Sequence, residues 1–267
     1  MQHQRLVFVL LDGLRLDVAR DCMGYVQAAA AAAGRPCVPV TSELPSLSRP
    51  LYETLMTGVP PVRSGITSNG VVRRSRNPSV FGQCRAAGRV TAAAAYHWFS
   101  ELYNEAPFHY ARRITHDVDA AIQHGLFYWR DDYPDDHLFA DAEALRRQHA
   151  PDFLLIHSMG IDDAGHRHGG GSAAYRTAAR RADDLLARLM PAWLEEGCAV
   201  IVTSDHGMGD DGMHGGPGLA ETQVPFWLFG AGQVPAAATL QQTEIAGTAL
   251  ALMGVPHGAM AVNKALL

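Results

Sequence analysis

Three separated segments of this chain carry side chains that hard, oxygen-rich chemistry uses: Asp12; Asp162-Asp163-Ala164-Gly165-His166; and Asp205-His206 followed by His214. Carboxylates and neutral imidazoles are ligands for divalent metals, and six such groups are enough for two three-coordinate ions with open positions. Such a pair of ions can activate a nucleophile and stabilise a departing oxygen, which is the natural arrangement for phosphoryl transfer. A nucleophile is available in Pro45-Ser46-Leu47-Ser48-Arg49-Pro50, just before the amphipathic segment Leu51–Met56 and Thr57-Gly58. A hydroxyl at a helix start meets backbone N–H groups and the positive end of the helix dipole, which favour an oxyanion and a phosphate. Each feature alone has a plainer reading: a strand-end Asp as a turn residue, a lone His as structural, a Ser as a helix N-cap.

These residues sit where an α/β fold would gather them. Leu6-Val7-Phe8-Val9-Leu10-Leu11 is a continuous apolar run ended by Asp12-Gly13, as expected of a parallel strand buried on both faces. Phe153–Ile156, Val200–Thr203 and Val224–Phe229 repeat the pattern, the last before Gly230. Helical spacing is clearest from Tyr175 to Leu189, and similar patterns occupy roughly 14–33, 138–149 and 242–253. Strands alternating with helices predict a three-layer sandwich whose mostly parallel central sheet is flanked by helices, with ligands bound at the carboxyl ends of its strands. Asp12, the 157–166 segment and Asp205-His206 are therefore expected to converge.

The stretch 96–133 departs from this alternation. It holds Trp98, Phe99, Tyr103, Phe108, Phe127 and Trp129 with no sustained period. It reads either as an inserted lid or pocket wall, or as a satellite cluster of rings under long loops.

Composition narrows the function classes. With 267 residues, 48% apolar, the chain can bury a substantial core, and a net charge of −5 gives no basic field for duplex nucleic acid. No apolar run near the start approaches the roughly 18 residues of a membrane span, so the expectation is a cytoplasmic protein with no membrane partner. The cysteines at 22, 37, 84 and 198 form no C-x-x-C pair, and reduced thiols are expected. P-loop, H-E-x-x-H and nucleophile-elbow motifs are absent from the sequence.

Taken together, Asp12-Gly13, Ser48-x-Pro50 running to Thr57-Gly58 and Gly65-Ile66, Asp162-x-x-Gly165-His166 and Ser204-Asp205-His206-Gly207-Met208 resemble the alkaline phosphatase superfamily, and within it the type I nucleotide pyrophosphatase/phosphodiesterase branch. The resemblance covers most of the chain and implies a single alkaline-phosphatase-like catalytic domain over 1–267. It implies one metal on Asp162, His166 and His214 and another on Asp12, Asp205, His206 and the Ser48 oxygen, with Asn69 as a phosphoryl-oxygen donor. It also implies in-line attack by Ser48 and hydrolysis of the resulting phosphoserine, with net retention at phosphorus.

Departures from the family pattern leave alternatives open. The nucleophile is threonine in the best-known phosphodiesterases, and Ser46 is a neighbouring candidate. His214 follows His206 closely, as in the ethanolamine-phosphate transferase branch; His168 and His157 are other third-ligand candidates, with His168 otherwise a contact to solvent or to groups behind the ligands and His157 a residue that orients a ligand. A sulfatase would carry arginine four positions after its nucleophile, where this chain has Tyr52; Arg49 is read as a surface or phosphate contact. Mixed imidazole and carboxylate donors suit two zinc ions, with manganese or iron as alternatives. The expected activity is hydrolysis of a small phosphorylated substrate, such as a nucleotide diester or pyrophosphate. Phosphomonoesterase, phosphonate hydrolase, phosphoryl transferase or mutase, and a non-catalytic metal-binding protein are the alternatives.

Overall fold

In the computed structural model, which describes residues 4–267, the chain folds around one nine-stranded sheet. The strands are β1 (Arg5–Leu11), β2 (Val38–Thr41), β3 (Thr91–Tyr96), β4 (Ile114–His116), β5 (His124–Tyr128), β6 (Phe153–Ser158), β7 (Cys198–Thr203), β8 (Gln223–Phe229) and β9 (Leu240–Gln241). Their order is β4-β5-β3-β6-β1-β7-β8-β2-β9. From β5 to β7 every neighbouring pair is parallel, whereas β4, β8 and β2 add antiparallel pairs.

The apolar runs follow from burial on both faces. Along β1, Leu6, Phe8 and Leu10 enter one core, while Val7, Val9 and Leu11 enter the other. The first core is closed by α3 (Ser48–Thr57), α5 (Val80–Ala86), α6 (Trp98–Tyr103) and α11 (Ile245–Leu252). The second is closed by α1 (Leu16–Cys22), α2 (Gly24–Ala32), α7 (Asp135–His149), α8 (Gly160–His168) and α9 (Ala173–Glu195). Short helices α4 (Pro61–Ser64) and α10 (Leu219–Thr222) lie in connections. The result is the expected three-layer α/β sandwich.

Several expectations are corrected. The fourth apolar run, β8, is antiparallel to β7, so Gly230 lies at the end of the sheet away from Asp205. Its start is the part near the site, since Glu221 O accepts from Gly207 N–H. The pattern over 14–33 is two helices broken at Met23, whose φ/ψ of −94°/67° is not helical. Thr91-Ala92-Ala93-Ala94-Ala95-Tyr96, outside every expected strand, is a fully buried central strand.

The aromatic stretch supplies framework as well as surface. It contributes the end of β3, α6, β4 and β5; Phe99, Tyr103, Phe127 and Tyr128 are buried, while Tyr110 and Trp129 are exposed. Among the described residues no helix is long and apolar enough to cross a membrane.

Candidate metal-dependent active site

The carboxyl ends of β1, β6 and β7 lie side by side, and each releases part of one cluster. Asp12 follows β1, Asp162 lies in the first turn of α8 just beyond β6, and Asp205-His206 follows β7. All four side chains are buried. The tight turn after β1 needs glycine: Gly13 has φ +73°, and a Cβ there would lie 2.9 Å from Asp162 Oδ1.

His206 Nε2 is the hub. It stands 3.0 Å from Ser48 Oγ, 3.4 Å from Asp12 Oδ1 and 3.3 Å from Asp205 Oδ2. On the open side, His166 Nε2 lies 3.3 Å from Asp162 Oδ2, and His214 Nε2 lies 3.7 Å from Asp162 Oδ1 and 3.1 Å from His166 Nε2. One ligand atom each from Asp162, His166 and His214 falls within a 4.8 Å sphere of mutual distances, as does one each from Asp12, Asp162 and His206. Asp162 thus sits between the two groups.

Backbone contacts fix the imidazoles in one tautomer. Nδ1–H of His166 donates to Gly212 O, that of His206 to Gly207 O and that of His214 to Ser46 O, each at 2.8 Å. Their Nε2 atoms are thereby turned toward the carboxylates, where that of His166 carries a proton shared with Asp162 in the metal-free fold and each can hold an ion once unprotonated.

The donor set fits divalent ions on an independent ground: Asp12 Oδ1, Asp162 Oδ1 and Asp205 Oδ2 are buried and lack any hydrogen-bond partner. An orphaned buried carboxylate oxygen is strongly disfavoured unless a cation meets it. Burial, reinforced by Asp205 and Asp162, raises the Asp12 carboxyl well above its usual range. Burial likewise raises Asp205. Asp162 goes the other way: burial opposes ionisation, but the His166 hydrogen bond and the surrounding imidazoles hold it below the usual value. Its partner His166 is raised to about 9 by the same hydrogen bond, whereas burial lowers His214 to about 4.

Ser48 is the first residue of α3, with Leu47 at the N-cap position, so it is not an N-cap serine. The neighbouring amide is already engaged: Arg49 N–H donates to Asn69 Oδ1 at 3.0 Å. That bond ties Asn69 to the turn carrying Ser48 and leaves the other end of its amide, two N–H donors, for a ligand. Ser46 has a different task. Its Oγ donates to Gly216 O at 2.8 Å and accepts from Gly215 N–H at 3.0 Å, holding the loop that carries His214.

Other candidates fall outside the cluster. His168 is exposed at the end of α8, and Asp163 pairs with Arg167 at 3.0 Å. Arg49 is buried, salt-bridged to Glu101 at 2.6 Å and stacked over Trp98, so it is not a surface contact. His157 is a positioning residue: its Nδ1 accepts from Tyr96 N–H at 3.3 Å, which leaves Nε2–H to donate to Asp12 Oδ2 at 3.2 Å. Burial holds it neutral, with a pKa of about 3.

Tyr52 was seen in the sequence only as a residue that is not arginine. Its hydroxyl donates to Asp12 Oδ2, and its ring stacks on Phe99 at 4.6 Å. The signal that could have found it is its place one helical turn after Ser48, on the same face.

Residues 6–214 match the family model for type I phosphodiesterase / nucleotide pyrophosphatase. The chain belongs to that family. It is similar over 84 residues, at 37% identity, to GPI ethanolamine phosphate transferase 1 of Mus musculus, a match covering 30% of this chain and 9% of that protein. A longer match, 26% identical over 259 residues, is to the catalytic subunit of mouse GPI ethanolamine phosphate transferase 3, covering 85% of this chain and 22% of the relative. The chain thus spans less than a quarter of the length of these curated relatives.

Among solved structures, an inactive variant of murine ectonucleotide pyrophosphatase / phosphodiesterase 5 in complex with AMP superposes with TM-score 0.74 at 13% identity, covering 97% of each chain. Phosphonate monoester hydrolase from Silicibacter pomeroyi gives 0.64 at 15% identity, over 97% of this chain and 75% of that one. These likenesses establish an alkaline-phosphatase-like fold.

Proposed function

We propose that this site cleaves phosphoric esters, diesters or pyrophosphates in preference to monoesters, through a covalent phosphoserine on Ser48. The observation that carries the reading is the placement of Ser48 Oγ 3.0 Å from His206 Nε2, beside carboxylate oxygens that have no partner. Two divalent ions, zinc by the donor set, on Asp12, Asp205, His206 and Ser48 and on Asp162, His166 and His214, would supply Lewis-acid polarisation of the phosphoryl and leaving oxygens.

The chain's own residues account for the rest. With Nδ1–H of His206 committed to Gly207 O, its Nε2 lone pair, 3.0 Å from Ser48 Oγ, is free to hold an ion beside that oxygen and is not the acceptor of the Ser48 proton. Ser48 gives up its proton to solvent and its Oγ forms the new P–O bond as the ester or anhydride P–O bond breaks, the leaving alcohol or phosphate taking a proton from solvent. Asn69, held by Arg49 N–H, presents its amide N–H groups to a phosphoryl oxygen. Water then forms a P–O bond as the P–Oγ bond breaks, restoring Ser48.

A second reading replaces water with an alcohol acceptor, making the chain a transferase. It is favoured by the ethanolamine phosphate transferase names of the relatives and by the close spacing of His206 and His214. A sulfatase-type reading is disfavoured because Tyr52, where that branch has arginine, is committed to Asp12.

The deciding experiment is kcat/KM for bis-p-nitrophenyl phosphate against p-nitrophenyl phosphate on zinc- and manganese-loaded protein, with Ser48→Ala as control. We expect diester preference and a loss of at least about 1,000-fold in the variant. Product partition toward an added alcohol would select the transferase reading, and turnover indifferent to Ser48 would overturn both.

A further inference from the structure

Away from the strand-end cluster, the outer edge of the sheet gathers three more imidazoles. His116 on β4 and His124 on β5 are directly opposed in the antiparallel register, so their side chains share one face. His149, the last residue of α7, brings its ring onto that face: it stacks on His124 with centroids 3.7 Å apart and 5° between planes, and lies 5.0 Å from the ring of His116. One ring nitrogen from each of the three falls within 4.8 Å of the others.

The geometry points to a second kind of metal site here, a three-histidine zinc clip that ties the β4–β5 hairpin to the end of α7. His116 Nδ1 and His124 Nδ1 are 3.2 Å apart. Two nitrogens of one tetrahedral zinc site, each bonded at 2.0–2.1 Å, stand roughly 3.3 Å apart, so this pair needs almost no movement. His149 needs more: an ion lies in the plane of each imidazole that binds it, so the His149 ring must turn out of its parallel stack on His124 to bring a nitrogen to the pair. His149 Nε2 is buried and has no hydrogen-bond partner. No carboxylate joins the three ligands, and burial lowers the pKa of both His124 and His149, which keeps their rings in the neutral, metal-binding form. An all-imidazole donor set suits zinc, with a fourth position left to water because His116 faces solvent.

The clip would act on the framework of the cleft. β5 runs from His124 to Tyr128, whose hydroxyl donates to His157 O at 2.8 Å, and His157 in turn orients Asp12. Anchoring the hairpin therefore anchors the strand that braces His157, without supplying any group to the chemistry.

The test is zinc stoichiometry by elemental analysis after gel filtration of the full chain, in the wild type and in an Asp162→Asn background that weakens the strand-end cluster. In both, His116→Gln and His149→Gln should each bind one zinc fewer per chain. Histidine ring 15N shifts supply a second readout that does not depend on how the His116 and His149 variants fold: on zinc addition to the wild-type and Asp162→Asn chains, one ring nitrogen each of His116, His124 and His149 should move to a bound position. Unchanged stoichiometry in the His116 variant, or rings that ignore zinc, would mean a stacked and hydrogen-bonded trio only and overturn the proposal. Because the readouts are zinc equivalents and ring shifts, they stand whether or not Ser48-dependent turnover is found.

Discussion

The strand-end cleft and the β4–β5 edge both collect histidines, but they solve opposite electrostatic problems. In the cleft, Asp12, Asp162 and Asp205 are buried together with three orphaned oxygens, an arrangement that is unfavourable until cations arrive. At the edge, His116, His124 and His149 gather with no carboxylate among them, and two are half-buried. A neutral imidazole trio tolerates an empty state; a buried carboxylate trio does not. The cleft is therefore suited to taking up cations for the proposed chemistry, whereas the edge cluster is suited to holding structure together.

Removing charge from the cleft should break this comparison most visibly. In Asp205→Asn, Oδ1 can still accept from Gly13 N–H, now at 3.3 Å, while an NH2 group replaces Oδ2 facing the His206 Nε2 lone pair. We expect diester kcat/KM to fall at least about 1,000-fold because a ligand is lost. The metal-stripped variant should nevertheless melt higher than the stripped wild type, by roughly 2–4 °C for each kcal/mol of relieved repulsion. Calorimetry on EDTA-treated protein checks this, and a lower melting temperature would contradict the view that the cleft is strained when empty.

How far the sequence reveals the molecule differs between the same two regions. β1, β6 and β7 were legible because central parallel strands are apolar on both faces, and the rule that ligands bind at their carboxyl ends placed Asp12, Asp162 and Asp205-His206 together. The sense of β8 was not legible, since an apolar run has no direction, and β3 was hidden because an alanine run reads as helix. His157 is legible as a residue that orients a ligand but not as the one that orients Asp12, and the tasks of Tyr52 and Ser46 were hidden, for each depends on a partner distant in the chain: Asp12 and the Gly215-Gly216 loop. The edge trio has no motif at all, because its members come from two strands and a helix end.

The brace behind Asp12 sharpens the comparison at smaller scale. His157→Gln removes a neutral N–H donor aimed at Asp12 Oδ2 while leaving the Tyr52 hydroxyl in place. Such supporting hydrogen bonds commonly change metal affinity about 10–100-fold. We expect a drop of that size in zinc affinity by chelator competition, with diester turnover recovered at saturating zinc. His116→Gln, by contrast, should leave saturated turnover within about twofold, since it touches none of the cleft groups.

The smallest expected effect is a stability slope with pH that the cleft has and the edge lacks. His166 is raised to about 9 in the fold by Asp162, against about 6.5 in an unfolded chain. A raised pKa contributes stability that is complete below pH 6.5 and disappears as pH climbs through about 9, because over that window the native state binds the extra proton. The lowered values of His214 and His157 act below pH 6.5 and with the opposite sign, so they do not obscure this window. The His166 side chain is 42% exposed, so solvent screening keeps its contribution under about 1 kcal/mol. Metal-stripped protein should accordingly lose stability from pH 6.5 to 9 in denaturant titrations, and His166→Gln should flatten that loss. Zinc-loaded protein should not show it, because a ligating Nε2 carries no proton to lose. If the slope survives in His166→Gln, the proton belongs to another group, with Asp12, which burial also raises, the next to test.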